Sequence, residues 1–381
     1  MKAKLKELGT ISTGNTPSKS VSKFYDSNDI GFVKPDIISD SQIDYIEKTT
    51  EYLSEAARGK ARIIKKEAVF VTCIGSIGKV GIAKGEELAF NQQINAIEPN
   101  KKVISKYLAY AIVANKRKLQ AIANAPVVPI INKTQFGEFE IDITGDTEEQ
   151  AKIVEILDKV SAIIVDRKAE SQKLDLLIKA RFVELFGDYD LSHTQSDWKP
   201  ISEIGKVVGG ATPKTNIEEY WDGEYRWITP AELDADSGYI YDSVRKLTKA
   251  GVESCSLQEM PVNTVILSSR APIGKVAIAG NTFYCNQGFK NIICNEGIVP
   301  RYLYTILLLN TEYLNSLGRG ATFKEISKSI VENIKIPVPS VGLQEQFAAF
   351  VEQTDKSKIA VQKAIDEAQL LFDSLMQKYF R

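Results

Sequence analysis

Two long stretches of the chain alternate apolar and polar residues with the spacing of an α-helix. Residues 146–186 and 344–381 contain no glycine or proline, and apolar residues recur in steps of three and four. In the first stretch these residues are Ile153, Leu157, Val160, Ile164, Leu174, Ile178 and Leu185, and in the second they are Phe347, Phe350, Val361, Ala364, Ala368, Leu371 and Leu375. The pattern predicts two long helices, which either pair as a coiled coil or pack separately on their own domains.

The rest of the chain has the pattern of α+β domains. Short β-branched runs such as AVFVTCI, KVGIA, TVILSS and NIIC predict strands separated by turns, and residues 105–123 have a helical pattern. We predict a first domain over 1–145, a long helix over 146–186, a linker over 187–200, a second domain over 201–340 and a second long helix over 341–381.

The two predicted domains are copies of one module. Residues 5–19 align with 201–215, so that Gly14, Thr16 and Pro17 match Gly210, Thr212 and Pro213. Residues 69–83 align with 265–279, and the dipeptide Asn-Gln follows in both copies. Residues 139–150 align with residues 334–346. Both segments end in Glu-Gln, so the alignment places Gln150 opposite Gln346. Ordered similarity over this many blocks indicates an internal duplication.

Composition narrows the possible functions. The chain has 381 residues and a net charge of -1, which argues against a protein that coats DNA by charge alone. No stretch is apolar and long enough to cross a membrane, so we expect a cytoplasmic protein without membrane contact. The four cysteines show no metal-finger spacing, and His193 is the only histidine, so we expect free, buried thiols and no bound metal.

The ordered, duplicated motifs resemble the specificity subunit of type I restriction-modification systems over residues 5–381. They are Gly-x-Thr-Pro near each domain start, Ile-Gly-Lys, Asn-Gln, and the apolar-Pro-x-Pro run that precedes residues 344–346. The resemblance implies two target-recognition domains alternating with two long helices that form an antiparallel coiled coil. The first copy departs from the pattern at residues 141–143, which lack the prolines of 336–339, and at Cys73 and Ile74, which replace Ser269 and Arg270.

The chain lacks the motifs of a catalytic subunit. It contains no Pro-Pro dipeptide for an adenine methyltransferase motif, no phosphate-binding loop and no Ser-His arrangement. The resemblance implies that modification subunits using S-adenosylmethionine and restriction subunits using ATP and Mg²⁺ supply the chemistry, while this chain binds no cofactor. Two alternative functions stay open. The chain could be a scaffold that binds proteins, or it could be the target-reading part of a self-sufficient modification enzyme.

Polar side chains on the repeated turns are the candidate DNA contacts, because base edges and phosphates are bound by Arg, Lys, Asn, Gln, Ser and Thr. A structural role in a tight turn is the alternative for the Gly-x-Thr-Pro and Ile-Gly-Lys residues, and a satisfied buried amide is the alternative for Gln92 and Gln287. A further basic run at residues 58–66 predicts either a phosphate-binding stripe or a solvated face. The candidates are Ser269, Arg270, Lys275, Lys79, Thr16, Lys19, Thr212, Lys214, Gln92, Gln287, Arg319 and Lys324.

The resemblance also implies the form of the target. We expect double-stranded DNA with two half-sites, one for each domain, separated by a gap whose bases are not read. If the long helices pair in antiparallel fashion, their length fixes the length of that gap.

Overall fold

The computed structural model describes the chain except residues 41, 124–127, 188, 234–237, 256, 271, 321–323 and 381. The described residues form two compact units, one made of residues 1–170 and 361–381 and the other of residues 171–360. Each unit contains one copy of the sequence repeat. The division cuts through both long helices, so the domain boundaries that we set at the ends of those helices stay predictions.

The first unit contains two sheets and a strand pair. Strands β2, β10, β7, β8 and β4 form a five-stranded sheet in that order, β5, β3, β9 and β6 form a four-stranded sheet, and β1 pairs with β11. The strands are β1 (Lys2–Lys4), β2 (Gly9–Thr13), β3 (Ile30–Val33), β4 (Asp44–Ile46), β5 (Glu51–Leu53), β6 (Ile63–Lys65), β7 (Val69–Thr72), β8 (Val80–Ala83), β9 (Glu87–Phe90), β10 (Ile94–Pro99) and β11 (Glu140–Asp142). The helices are α1 (Leu5–Leu8), α2 (Ser105–Ala114), α3 (Lys116–Ala121), α4 (Lys133–Glu138) and the start of α5 (Thr147–Phe186).

The second unit repeats this topology. Strands β13, β20, β17, β18 and β15 form the five-stranded sheet, and β16, β14 and β19 form a three-stranded sheet. The strands are β12 (Lys199–Pro200), β13 (Gly205–Gly209), β14 (Trp221–Ile228), β15 (Tyr239–Ile240), β16 (Arg245–Leu247), β17 (Val265–Leu267), β18 (Val276–Ala279), β19 (Tyr284–Cys285), β20 (Lys290–Cys294) and β21 (Lys335–Ile336). The helices are α6 (Ile201–Ile204), α7 (Lys249–Glu253), α8 (Pro300–Leu309), α9 (Thr311–Ser316), α10 (Lys328–Asn333) and the start of α11 (Val341–Phe380).

The five-stranded sheet is covered on both faces, which explains its continuous apolar runs. Every residue of β7 is buried. Val69 and Val71 pack in the cluster that contains Tyr107 of α2, whereas Phe70 packs on the other face against Phe90, with ring centroids 5.5 Å apart. Successive side chains of a strand point to opposite faces, so a strand enclosed on both sides needs apolar residues at every position.

The long helices run antiparallel within the second unit. Phe182 of α5 contacts Phe347 of α11 with ring centroids 5.2 Å apart, while Asp175 of α5 pairs with Lys358 of α11 at 2.6 Å. Residue numbers along α5 therefore decrease where those along α11 increase, so the two helices are antiparallel in this unit. The predicted α+β class with antiparallel paired helices is confirmed.

The end of each long helix also packs on a domain helix. Phe380 of α11 contacts Tyr107 of α2 in the first unit, with ring centroids 5.0 Å apart. Phe186 of α5 contacts Tyr302 of α8 in the second unit, at 4.8 Å. Near the C-terminus this packing buries a different face of α11 from the one that we predicted. Leu371, which belongs to the predicted apolar face, is 51% exposed.

A buried glutamine fixes the start of each long helix. Gln150 accepts a hydrogen bond from the N–H of Ile104 at 2.9 Å and donates to two backbone carbonyls. Gln344 does the same in the second unit, where it accepts from the N–H of Val299 at 2.9 Å. The residue equivalent to Gln150 is therefore Gln344, and the alignment of Gln150 with the exposed Gln346 is wrong.

Candidate nucleic-acid interface

In each unit the Gly-x-Thr-Pro turn lies against the turn formed by Asn-Gln. A Cβ atom on Gly14 would lie 2.2 Å from the carbonyl oxygen of Asn91, and one on Gly210 would lie 2.0 Å from that of Cys285. Only glycine permits so close an approach of two backbones. We call the two segments the turn pair, which comprises residues 14–17 and 91–92 in the first unit and residues 210–213 and 286–287 in the second.

The same hydrogen bond joins the two turns in both units. The Thr16 hydroxyl donates to Oε1 of Gln92 at 2.7 Å, and the Thr212 hydroxyl donates to Oε1 of Gln287 at 2.6 Å. Both glutamines are exposed, and their amide nitrogens bond to no described residue. The threonine orients the amide, so each turn pair presents two N–H donors that suit a base edge or a phosphate.

The asparagine of each Asn-Gln dipeptide has a structural role. Asn91 accepts from the N–H of Gln93 at 3.1 Å, and Asn286 accepts from the N–H of Gly288 at 2.9 Å. This short-range bond closes a turn of the kind that Asn side chains favour. The asparagines are therefore the satisfied amides of these dipeptides, whereas the glutamine side chains stay exposed.

The lysines of the two Ile-Gly-Lys motifs bind backbone carbonyls. Nζ of Lys79 lies 3.4 Å from the carbonyl oxygen of Pro35, and Nζ of Lys275 donates to those of Pro230 and Leu233 at 3.3 and 2.8 Å. Both lysines are half-buried. These contacts tie the motif to a neighbouring turn, and a DNA contact by either lysine stays a prediction.

Ser269 and Arg270 are adjacent but differ in accessibility. Ser269 is fully buried, and its hydroxyl lies 3.2 Å from Nζ of Lys290. Arg270 is 47% exposed, and its Nε pairs with Glu325 at 3.0 Å. In this arrangement the Arg270 side chain is accessible to DNA, whereas that of Ser269 is covered; a DNA contact by Arg270 stays a prediction.

Glu325 joins two cations in one network. It pairs with the exposed Arg270 and with the largely buried Lys290, whose Nζ lies 3.3 Å away. Burial of the Glu325 carboxyl group would raise its pKa, but hydrogen bonds from Arg270 and Lys290 outweigh burial and lower the pKa from its ordinary value. The carboxylate therefore stays ionised at neutral pH and positions Arg270.

The predicted contacts Arg319 and Lys324 lie on a loop that the structure describes except at residues 321–323. The backbones of Arg319 and Glu325 pair through two hydrogen bonds of 3.0 Å. The side chains of Arg319 and Lys324 are exposed and pair with no described acidic residue. Both side chains are thus accessible to solvent, and their contact with a phosphate stays a prediction.

Lys19 and Lys214 are exposed cations just after the two Gly-x-Thr-Pro turns, and neither pairs with a described acidic residue. In the first unit the basic run 58–66 also reaches the turn pair. Asn15 accepts from the N–H of Arg62 at 2.6 Å and donates to the carbonyl of Lys60 at 2.7 Å. By contrast, Arg58 pairs with Glu87 at 2.7 Å and belongs to a solvated face.

Sequence reasoning missed an aromatic support beneath the second turn pair. Nε1 of Trp227 donates to the carbonyl of Ala211 at 3.1 Å, and Nε1 of Trp221 donates to that of Lys214 at 3.2 Å. The guanidinium of Arg245 lies 3.5 Å from the ring centroid of Trp221. Residues 24–26, Phe-Tyr-Asp, align with residues 220–222, Tyr-Trp-Asp, which is a signal for Trp221, but nothing in the sequence marks Arg245.

Other chemistry is not evident in the described part of the chain. There, no group of three or more His, Cys, Asp or Glu side chains could hold a metal ion, and no helix is long and apolar enough to span a membrane. The four cysteines are free. Burial raises the pKa of Cys73, Cys285 and Cys294 to about 12, so these thiols stay protonated and unreactive at neutral pH.

Comparison with known proteins agrees with this architecture. The family model described as type I restriction modification DNA specificity domain matches residues 1–175 and 195–368. The type I restriction enzyme MjaIX specificity subunit of Methanocaldococcus jannaschii is 43% identical over 185 residues, which are 47% of this chain and 43% of that protein. The EcoR124I/EcoR124II specificity subunit of Escherichia coli is 28% identical over 54% of this chain and 52% of its own length. The chain thus spans about half the length of these relatives.

A solved structure shares the fold over the whole chain. The crystal structure of the S subunit of a type I restriction-modification system from M. genitalium covers 100% of this chain and 96% of its own, with a TM-score of 0.58 and 16% identity. At this identity the likeness establishes the fold alone.

Proposed function

The chain belongs to the type I restriction-modification DNA specificity family, and from this premise we propose that it is a specificity subunit that reads a bipartite double-stranded DNA target. Each unit would read one half-site, and neither unit would read the bases of the gap between them. The observation that supports this most directly is the repeated turn pair, in which a threonine orients an exposed glutamine in both units. Two copies of one recognition surface suit a target made of two parts.

The proposed surface combines the two kinds of contact that sequence-specific DNA binding requires. Glutamine amides and arginine guanidiniums read base edges in the major groove, whereas lysines and hydroxyls position the protein on phosphates. Cations that pair with no described acidic residue lie at or near both turn pairs. They include Lys19, Lys60 and Arg62 in the first unit and Lys214, Arg319 and Lys324 in the second. The net charge of -1 is compatible with DNA binding because the required positive charge is local.

We propose that partner subunits carry out the chemistry. Modification subunits would transfer the methyl group of S-adenosylmethionine to adenine, restriction subunits would use ATP and Mg²⁺ to cleave, and this chain would bind none of these cofactors. The long helices offer apolar side chains for such partners, since Ile163 is 48% exposed in the first unit and Leu176 is 65% exposed in the second. Exposed apolar side chains on a helix suit a protein interface better than DNA. We propose that the protein acts in the cytoplasm.

A gel-shift and methyl-transfer experiment tests the proposed function. We expect the chain with its modification subunit to bind a bipartite duplex more tightly than a random duplex and to methylate adenine only there. The chain alone should transfer no methyl group from S-adenosylmethionine, and methylation by the chain alone would refute the non-catalytic role. Equal binding of both duplexes, with and without the modification subunit, would favour a protein scaffold instead.

A further inference from the structure

A row of paired residues crosses the three-stranded sheet of the second unit beside the turn pair. Arg245 of β16 pairs with Trp227 of β14, and Trp227 pairs with Tyr284 of β19. Residues paired directly across strands project from the same face of a sheet. Strand β19 then continues into residues 286–287, so the row, defined as Arg245, Trp227 and Tyr284, adjoins the glutamine of the turn pair.

Two tryptophans hold the Arg245 side chain in place. Its guanidinium lies 3.5 Å from the ring centroid of Trp221 and 5.8 Å from that of Trp227, and the two indoles meet edge to face at 5.1 Å. Both rings are buried, at 7% and 3% exposure. A cation over an aromatic face is attracted by the ring, which restricts the long side chain before any ligand arrives.

Arg245 keeps its hydrogen-bonding capacity. The side chain is exposed and forms no hydrogen bond or ion pair with a described residue, unlike Arg226 on the next strand, which pairs with Asp242 at 3.2 Å. Stacking uses the face of the guanidinium and leaves its N–H donors available in its plane. The same two indoles donate to backbone carbonyls in the Gly-x-Thr-Pro turn and just after it, so Arg245 and the turn share one rigid support.

The equivalent row in the first unit has the opposite charge. There Phe32 of β3 pairs with Glu51 of β5 and with Ala89 of β9. Glu51 takes the place of Arg245 and forms an ion pair with Lys34. The turn pair is thus the same in the two units, while the row beside it differs in both shape and charge.

We infer that Arg245 is a specificity-determining residue that reads a guanine in the half-site bound by the second unit. This inference rests on the proposed function. A fixed, exposed guanidinium matches the two acceptors, O6 and N7, that guanine presents in the major groove. Because the first unit has Glu51 at this place, the row explains how two copies of one module can read different sequences.

Selection from random DNA tests the inference. The chain in complex with its modification subunits is incubated with a pool of duplexes of random sequence, and the bound duplexes are sequenced. We expect Arg245→Gln to lose a guanine preference at one or two neighbouring positions of one half-site and to bind the original site about tenfold more weakly. The other half-site should be unchanged. Arg245→Lys should lose the same preference, because a lysine lacks the two-pronged fork.

The matched control is Arg226→Gln, which removes the cation next to Trp227 on the other face of the same sheet and should leave the motif intact. Unchanged motifs with Arg245→Gln would overturn the inference, as would equal weakening on all sequences, which indicates a phosphate contact. Restoration of both motif and melting temperature by Arg245→Lys would indicate a purely structural role and also overturn it. If the unmodified complex selects no motif, the proposed function fails along with the inference.

Discussion

Replacing Gln344 with alanine tests the assignment of the residue that fixes the start of α11. Gln344 is fully buried and forms three hydrogen bonds, of 2.9, 3.0 and 2.9 Å, with the backbones of Val299, Gly297 and Pro339. Alanine would leave one N–H donor and two carbonyl acceptors without this partner. An unsatisfied buried donor costs about 1–3 kcal/mol and the acceptors add less, so we expect a loss of roughly 2–4 kcal/mol in the free energy of unfolding.

Tryptophan fluorescence during urea unfolding measures this loss in the second unit alone. Trp198, Trp221 and Trp227 all lie in residues 171–360. With a slope of about 2–3 kcal/mol per molar urea, the transition midpoint of Gln344→Ala should fall by about 1 M.

Two variants control this experiment. Gln346→Ala changes an exposed residue of the same type on the same helix and should stay within about 0.5 kcal/mol of the unmodified protein. Gln150→Ala removes the equivalent bonds in the first unit and should leave the tryptophan transition in place while lowering the stability seen by circular dichroism. Equal midpoints for Gln344→Ala and Gln346→Ala would refute the assignment.

Three further predictions concern the ion network, the Ile-Gly-Lys lysine and the long helices. The lowered pKa of Glu325 means that its carboxylate stabilises the fold above its ordinary pKa, so acid titration of unfolding should show a loss of stability below about pH 4.5 that Glu325→Gln reduces; an identical acid loss in the variant would contradict this. Lys275→Ala should lower both the melting temperature and DNA affinity, because Lys275 binds two carbonyls, whereas Arg270→Ala should lower affinity with a smaller loss in melting temperature, since it removes only a half-exposed ion pair; equal melting losses would contradict this contrast. Adding one heptad to α5 after residue 170 and one to α11 before residue 361 should lengthen the unread gap by about three base pairs, as read by methylation mapping, since seven residues add ~10 Å; an unchanged gap in an active complex would contradict a spacer role.

The sequence revealed the repeated turns but not the contact between them. Gly14 and Gly210 align because each lies against a neighbouring backbone, a constraint that a sequence records directly. The bond between Thr16 and Gln92 joins residues 76 positions apart, and no local pattern predicts such a pairing. The two motifs can therefore be identified separately in the sequence, but only the folded structure shows that they form one surface.

Accessibility was the harder property to predict. Ser269 and Arg270 stand together in a polar run, yet the segment at Ile326 packs against Ser269, whose carbonyl accepts from the N–H of Ile326 at 3.0 Å. At the end of α11 the apolar pattern favoured Leu371, but Phe372 packs on Tyr110 at 6.1 Å. In both places a distant segment decides which side chain is buried, and spacing along one element carries no information about that segment.

The local character of the charge predicts how binding should respond to salt. Apart from Arg245, which we assign to a base edge, six cations at or near the turn pairs lack a partner among the described acidic residues, namely Lys19, Lys60, Arg62, Lys214, Arg319 and Lys324. If each contacts one phosphate, the logarithm of the binding constant should fall with the logarithm of salt concentration with a slope of about −5. A shallower slope would mean that some of these cations do not reach DNA, and Lys324→Gln should reduce the slope by about one. A substantially steeper slope for the chain alone would show that phosphate binding extends beyond the turn pairs, which would contradict a recognition surface confined to them.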